Sequence, residues 1–168
     1  MPSLFVLGGA RSGKSRFAQA RAEATGLSLA YIATAEAWDD EMRERIRLHQ
    51  HDRGCAWSTI ESPIALPETI EAHDAPGTAL LVDCLTLWIS NLLLSDRDIP
   101  AATACLTAAI ANARGHIILV SNEVGLGIVP ENALARRFRD EAGRVNQRVA
   151  ACADEVQFVA AGLNLRFK

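Results

Sequence analysis

The chain has 168 residues, 49% of them hydrophobic and 22% charged, with a formal net charge of −3. This is the balance of an ordinary globular chain of single-domain size, able to bury roughly 68–70% of the surface that its unfolded form exposes. It excludes a disordered chain, offers nucleic acid no general electrostatic attraction, and contains no run near the ~18 apolar residues of a membrane-spanning helix.

In chain order, the apolar run Leu4–Leu7 reads as a buried strand. No basic segment precedes it and it stops at a glycine-rich loop, so it is not a signal peptide, and a cytoplasmic protein is expected. The loop, Gly8-Gly9-Ala10-Arg11-Ser12-Gly13-Lys14-Ser15, matches G-x-x-x-x-G-K-[ST], the phosphate-binding P-loop. Its glycines let successive N–H groups approach phosphate oxygens, and the positive end of the following helix, Lys14–Thr25, adds to the attraction. Lys14 is placed for the β/γ-phosphates and Ser15 for a bridging Mg²⁺ ion.

Beyond the loop, strands are expected at Leu29–Ala33, Leu80–Val82, Ile117–Val120, Val156–Ala160 and Leu163–Phe167, with weaker strand character at Ala56–Ile60. Helices are expected at Asp39–His51, Pro67–His73, Leu85–Leu94, Ala101–Ala113 and Glu131–Ala153. The alternation implies an α/β fold, a mostly parallel sheet with helices on both faces. Ala161-Gly162 is too short for a crossover, so the last two strands form a hairpin and the C-terminal strand is an antiparallel edge. With no repeat or long linker, residues 1–168 read as one nucleotide-binding domain. The four cysteines lack metal or disulfide spacing and are expected as buried thiols. Tyr31, Trp38, Trp57 and Trp88 are expected to pack in the core or at its rim.

Two strand ends carry polar residues suited to a nucleotide site. Asp83 closes the run Thr78–Val82, where a carboxylate can hold Mg²⁺ through water, although aspartate also suits a plain turn. Asn122 and Glu123 follow the run Ile117–Ser121, and ligands of open α/β sheets bind beyond the carboxyl ends of strands. Glu123 is a candidate proton acceptor; the alternative is a loop whose Asn and Glu bond their own turn. On the expected helix Asp39–His51, Met42, Ile46, His49 and Arg53 share one face, whereas His51 is turned about 200° from His49. From the residues alone His49 reads as the edge of a packed stripe, yet a neutral imidazole braced by Arg45 and Arg53 is also a competent nucleophile toward phosphorus. His73 and His116 read as structural.

The P-loop, together with Tyr31-Ile32-Ala33-Thr34-Ala35, Asp39-Asp40-Glu41-Met42, and Arg45-Ile46 with His49, closely resembles the bifunctional adenosylcobinamide kinase/adenosylcobinamide-phosphate guanylyltransferase family of cobalamin biosynthesis. So does the run Ser121–Asn132, continuing through Arg139-Asp140 and Gly143–Gln147. The resemblance implies a RecA-like P-loop NTPase core and a homo-oligomer, a trimer; from charge and hydropathy no nucleic-acid partner and no membrane span are expected. It further implies two reactions: phosphorylation of adenosylcobinamide by ATP or GTP, then transfer of GMP from GTP to adenosylcobinamide phosphate through a guanylyl-histidine. The family's Arg-Ile-x-x-His context falls on Arg45–His49, which makes His49 the nucleophile and His51 the fallback.

By the same carry-over, nucleotide contacts are expected from Gly8 to Ser15, from Ala33, Thr34 and Ala35, from Gln50, His51, Asp52 and Arg53, and from Glu61 and Asp83. Ser15 and Asp83 are the expected Mg²⁺ residues, and His49, Lys14 and Glu123 the catalytic ones. Gly54-Cys55-Ala56-Trp57 departs from the family, which usually has a proline soon after the arginine. No N-K-x-D guanine-recognition motif is present, so nucleotide preference rests on the resemblance alone. The rival readings are a P-loop kinase of another small metabolite, with His49 structural, and a nucleotide-switched binding module.

Overall fold

A computed structural model of the chain describes residues 3–35 and 56–168. The expected helix Asp39–His51, with His49 and the segment Gln50–Arg53, lies outside the described residues, as do Trp38 and Cys55.

The described elements are β1 (Ser3–Gly8), α1 (Lys14–Glu23), β2 (Ser28–Ala33), β3 (Trp57–Glu61), α2 (Leu66–His73), β4 (Thr78–Asp83), α3 (Leu85–Leu94), α4 (Ile99–Ala111), β5 (His116–Asn122), α5 (Ala133–Cys152), β6 (Glu155–Ala160) and β7 (Leu163–Arg166). The strands form one sheet in the order β3-β2-β4-β5-β1-β6-β7. Every pairing is parallel except β6 with β7. The weak strand character near Ala56–Ile60 is a real edge strand, β3, in register with β2. Helix α4 starts two residues earlier than its apolar pattern suggests: the Asp98 carboxylate accepts from Ala101 N–H as the N-cap, and Pro100 fits the first turn, where its missing N–H costs nothing.

Alternation along each strand sorts the core into two layers. Phe5, Leu80, Val82, Ile117 and Leu119 point to the face covered by α2 to α5, where Trp88 is fully buried and donates its indole N–H to Ile64 O at 2.8 Å. Leu4, Val6, Leu81, Ile118 and Val120 point to the other face, packing with Ala18 and Ala22 of α1. Among the described residues no helix is long and apolar enough to cross a membrane. Among the described thiols, Cys84 is buried as expected, its pKa pushed up to about 11 chiefly by desolvation, whereas Cys152 is half-buried and Cys105 is exposed on α4.

At the amino ends of the strands, Arg21 of α1 bonds both carboxylate oxygens of Glu155 at 2.7 and 2.8 Å, tying α1 to β6. The Arg21 hydrogen bonds hold the Glu155 carboxyl down at about 2 from its ordinary 4.5, against the opposing effect of burial. A depressed carboxyl contributes stability above its unfolded pKa and loses it as pH falls toward the folded one. The melting-temperature advantage of wild type over Glu155→Gln is therefore expected to be full above pH 5 and to disappear between about pH 4.5 and 2, read by thermal melts across that range. Because Arg21 is 40% exposed, solvent and salt keep the effect small.

Candidate functional site

The glycine-rich loop joins β1 to α1 at the carboxyl end of the sheet, and three backbone hydrogen bonds hold it. Ser12 N–H donates to Gly9 O (3.3 Å), Glu123 N–H donates to Gly8 O (3.1 Å), and Gly162 N–H, from the β6–β7 turn, donates to Ser12 O (2.8 Å). Gly8 sits between Asn122 of β5 and Val159 of β6 in the sheet register. A Cβ built there would fall 2.6 Å from Ser12 Oγ and collide with the Val159 carbonyl oxygen, so only glycine lets the chain turn at this point. Gly13, at φ +96°, caps α1 with no side chain in the way and has the left-handed backbone that favours glycine. The first turn of α1 holds no acidic residue, so nothing on the helix opposes an anion at its positive end.

Lys14 is buried and donates Nζ to Gly9 O at 3.0 Å, which folds its ammonium into the loop. Residues 11–16 and the turn pair Ala161-Gly162 line a cavity of about 550 Å³. Exposed Arg11, at φ +55°, and exposed Arg16 add positive charge to its walls. A smaller cavity of about 330 Å³ opens at the opposite end of the sheet, around Ser3, His116 and the Arg21–Glu155 pair. The loop, the amino terminus of α1 and the turn that follows β6 meet at the first cavity.

The sheet register aligns other expected residues. Glu61, Ala33 and Asp83 form one row across the carboxyl ends of β3, β2 and β4. Asp83 is half-buried and, by alternation with Leu81, lies on the α1 face with the phosphate loop. Its strand is not next to β1, because β5 runs between them and ends in Asn122, the partner of Gly8. Thr34 is fully buried, and its hydroxyl donates to Cys84 O (2.7 Å) and accepts from Cys84 N–H (2.9 Å), so its side chain positions the chain just after Asp83. Ala35 follows, half-buried. Glu123 Oε1 accepts from Gly125 N–H at 2.6 Å, closing the loop after β5 on itself.

Sequence reading missed the polar framework that fixes these strand ends. Asn91 donates to Thr34 O (2.8 Å) and Pro63 O (3.0 Å). Thr86 Oγ1 accepts from Asn122 N–H (2.7 Å), Ser121 donates to Asn146 Oδ1 (2.8 Å), and Asn146 donates to Asn122 O (3.3 Å). These pairs span 24 to 57 residues, and nothing in their local pattern announces them. The turn Ala161-Gly162 was legible as a hairpin, but its place in the wall of the cavity beside the glycine-rich loop was not.

A phosphate loop between the first strand and helix of a parallel, helix-covered sheet defines the P-loop NTPase class of nucleotide-binding proteins. Solved structures of that fold superpose on the chain. The flagellar accessory protein FlaH from Methanocaldococcus jannaschii aligns with a TM-score of 0.56 at 15% identity, over 99% of this chain and 78% of that one. The RadB recombinase aligns with a TM-score of 0.56 at 14% identity, over 94% and 73%. At such identities the likeness concerns the fold alone.

Sequence similarity is more specific. A family model described as cobinamide kinase / cobinamide phosphate guanyltransferase matches residues 4–167, and the chain belongs to that family. It is 47% identical over 165 residues to the bifunctional adenosylcobalamin biosynthesis protein CobP of Pseudomonas aeruginosa, covering 97% of this chain and 95% of the relative. It is 43% identical over 180 residues to the protein CobU of Salmonella typhimurium, which carries the same description, covering 98% and 99%.

The two leading glycines of the loop differ in what surrounds them, since a Cβ at Gly9 meets nothing within 4 Å. Gly8→Ala is expected to cost about 1–3 kcal/mol of stability and to abolish triphosphate binding. Gly9→Ala is expected to stay within about 0.5 kcal/mol of wild type. Urea unfolding and calorimetric titration with a non-hydrolysable nucleoside triphosphate read both effects.

Proposed function

We propose that this chain catalyses two successive transfers on a corrinoid: phosphorylation of adenosylcobinamide by ATP or GTP, and then attachment of GMP from GTP to the new phosphate, giving adenosylcobinamide-GDP. The reading is carried by the phosphate cradle of Gly8–Ser15, found in a chain that matches the kinase/guanyltransferase family along residues 4–167.

In the kinase step the loop N–H groups and Lys14 hold the β- and γ-phosphates and offset the charge that builds on them. Ser15 and Asp83 offer the hard oxygen ligands that suit Mg²⁺, which when bound adds further charge neutralisation. Among the described residues no group of three or more His, Cys, Asp or Glu side chains could hold a metal ion. The acceptor hydroxyl oxygen bonds to the γ-phosphorus as the bond to the β–γ bridging oxygen breaks, and the hydroxyl proton passes to Glu123. In the second step the His49 imidazole attacks the α-phosphorus of GTP and pyrophosphate leaves. The adenosylcobinamide phosphate oxygen then takes the GMP as the P–N bond breaks and the imidazole is restored.

Nucleotide contacts in this reading come from the cradle, from Ala33–Ala35, from Gln50–Arg53 and from Glu61. The working molecule is a single-domain chain in a cytoplasmic homotrimer. Protein incubated with GTP labelled at the α-phosphate is expected to retain an acid-labile label. His49→Ala should abolish that label and keep ATP-dependent phosphorylation of adenosylcobinamide, and Lys14→Ala should lower the phosphorylation by about 10²-fold or more. Label that persists in His49→Ala removes His49 from the nucleophile's role, and a wild-type protein that phosphorylates another metabolite and leaves adenosylcobinamide untouched contradicts the reading.

A further inference from the structure

Among the described residues, two buried side-chain polar atoms have no hydrogen-bond partner: Ser12 Oγ and Asn122 Oδ1. Both flank Gly8. Ser12 Oγ lies 2.6 Å from where a Gly8 Cβ would be, and Asn122 is the register partner of Gly8 on β5. A buried, unpaired amide oxygen is destabilising, so its position needs a reason.

The backbone of Asn122 is fixed on both sides of its peptide unit. Its N–H donates to Thr86 Oγ1 at 2.7 Å, and its carbonyl accepts from Asn146 Nδ2 at 3.3 Å. Helices α3 and α5 thus grip the backbone of Asn122 from the face of the sheet opposite α1. Strand alternation sends Ile117, Leu119 and Ser121 toward that face, and Ile118, Val120 and Asn122 toward α1 and the phosphate loop. Asn122 therefore stands at the carboxyl end of β5, the strand that runs between β4, which ends in Asp83, and β1, which leads into the loop. Glu123, its neighbour, has Oε1 committed to Gly125 N–H.

We infer that Asn122 is a further catalytic residue of the kinase step, resting on the function proposed above: its side-chain carbonyl accepts a hydrogen bond from the acceptor hydroxyl and aims that oxygen at the γ-phosphorus. An amide is no base, so Asn122 holds the hydroxyl only in the bound complex, and the hydroxyl's one proton turns from Asn122 Oδ1 to Glu123 as the oxygen–phosphorus bond forms. Such an interaction belongs to alignment of the reacting oxygen rather than to nucleotide binding, and it changes kcat in preference to the nucleotide KM.

The test is Asn122→Ala, assayed for ATP-dependent phosphorylation of adenosylcobinamide by the full chain. The expected result is a kcat at least 10-fold lower, a nucleotide KM within twofold of wild type, and a melting temperature equal to or above wild type, because the unpaired oxygen is gone. Asn122→Leu keeps the volume and reads the same way should the smaller side chain unsettle the strand end. A kcat within twofold of wild type overturns the inference, and so does a fall in melting temperature with a matching loss of nucleotide affinity. A wild-type chain that does not phosphorylate adenosylcobinamide overturns the functional reading, and this inference with it.

Discussion

The turn at Gly8 is the constraint on which the rest of the site depends. At that point β1 is flanked by the backbones of β5 and β6, and Ser12 folds back above it, leaving no room for even a methyl group. The loop is thus held by main chain on every side: Glu123 from β5, Gly162 from the β6–β7 turn, and its own Gly9–Ser12 bond. Main-chain restraint matters for a phosphate cradle because the ligands are N–H groups, and their directions are set by backbone angles rather than by rotamers. The positive end of α1 and the buried Lys14 ammonium then act on whatever anion those N–H groups admit.

A second layer of constraint works on the strand ends. Thr34 fixes the backbone after β4, Asn91 fixes the chain after β2, and Thr86, Ser121 and Asn146 fix the end of β5. Each of these polar side chains is buried and paired, so the ends of β2, β4 and β5 are held by hydrogen bonds whose loss would cost more than their making gained. Asp83 and Asn122 are carried by this rigid frame, one on each of the two strands nearest β1 on its β5 side. A reactive centre needs such support, because small misplacements of aligned groups cost large factors in rate.

Much of this was legible in the linear sequence. The apolar runs marked the central strands, the G-x-x-x-x-G-K-S motif identified the cradle, and a two-residue connection marked β7 as an antiparallel edge. Elements with a local signature were readable because period and turn chemistry are local. The reason Gly8 must be glycine was hidden, since it lies in Val159, 151 residues further along the chain. The buried Thr34–Cys84 and Ser121–Asn146 pairs were hidden for the same reason. Glu123 was legible as a polar residue at a strand end, but its bond to Gly125 and the unpaired oxygen of Asn122 follow only from the packed arrangement. His49, whose proposed role rests on a resemblance and not on periodicity, lies outside the described residues.

The central claim is that Gly8–Ser15 is a preformed anion cradle that takes the distal phosphates of a nucleoside triphosphate. The most direct measurement is a crystal structure of the full chain with a non-hydrolysable nucleoside triphosphate. The account predicts β- and γ-phosphate oxygens within hydrogen-bond distance of the Gly13, Lys14 and Ser15 N–H groups, with Lys14 Nζ turned from Gly9 O to the phosphates. Phosphates bound elsewhere, with Lys14 still donating to Gly9 O, would contradict it.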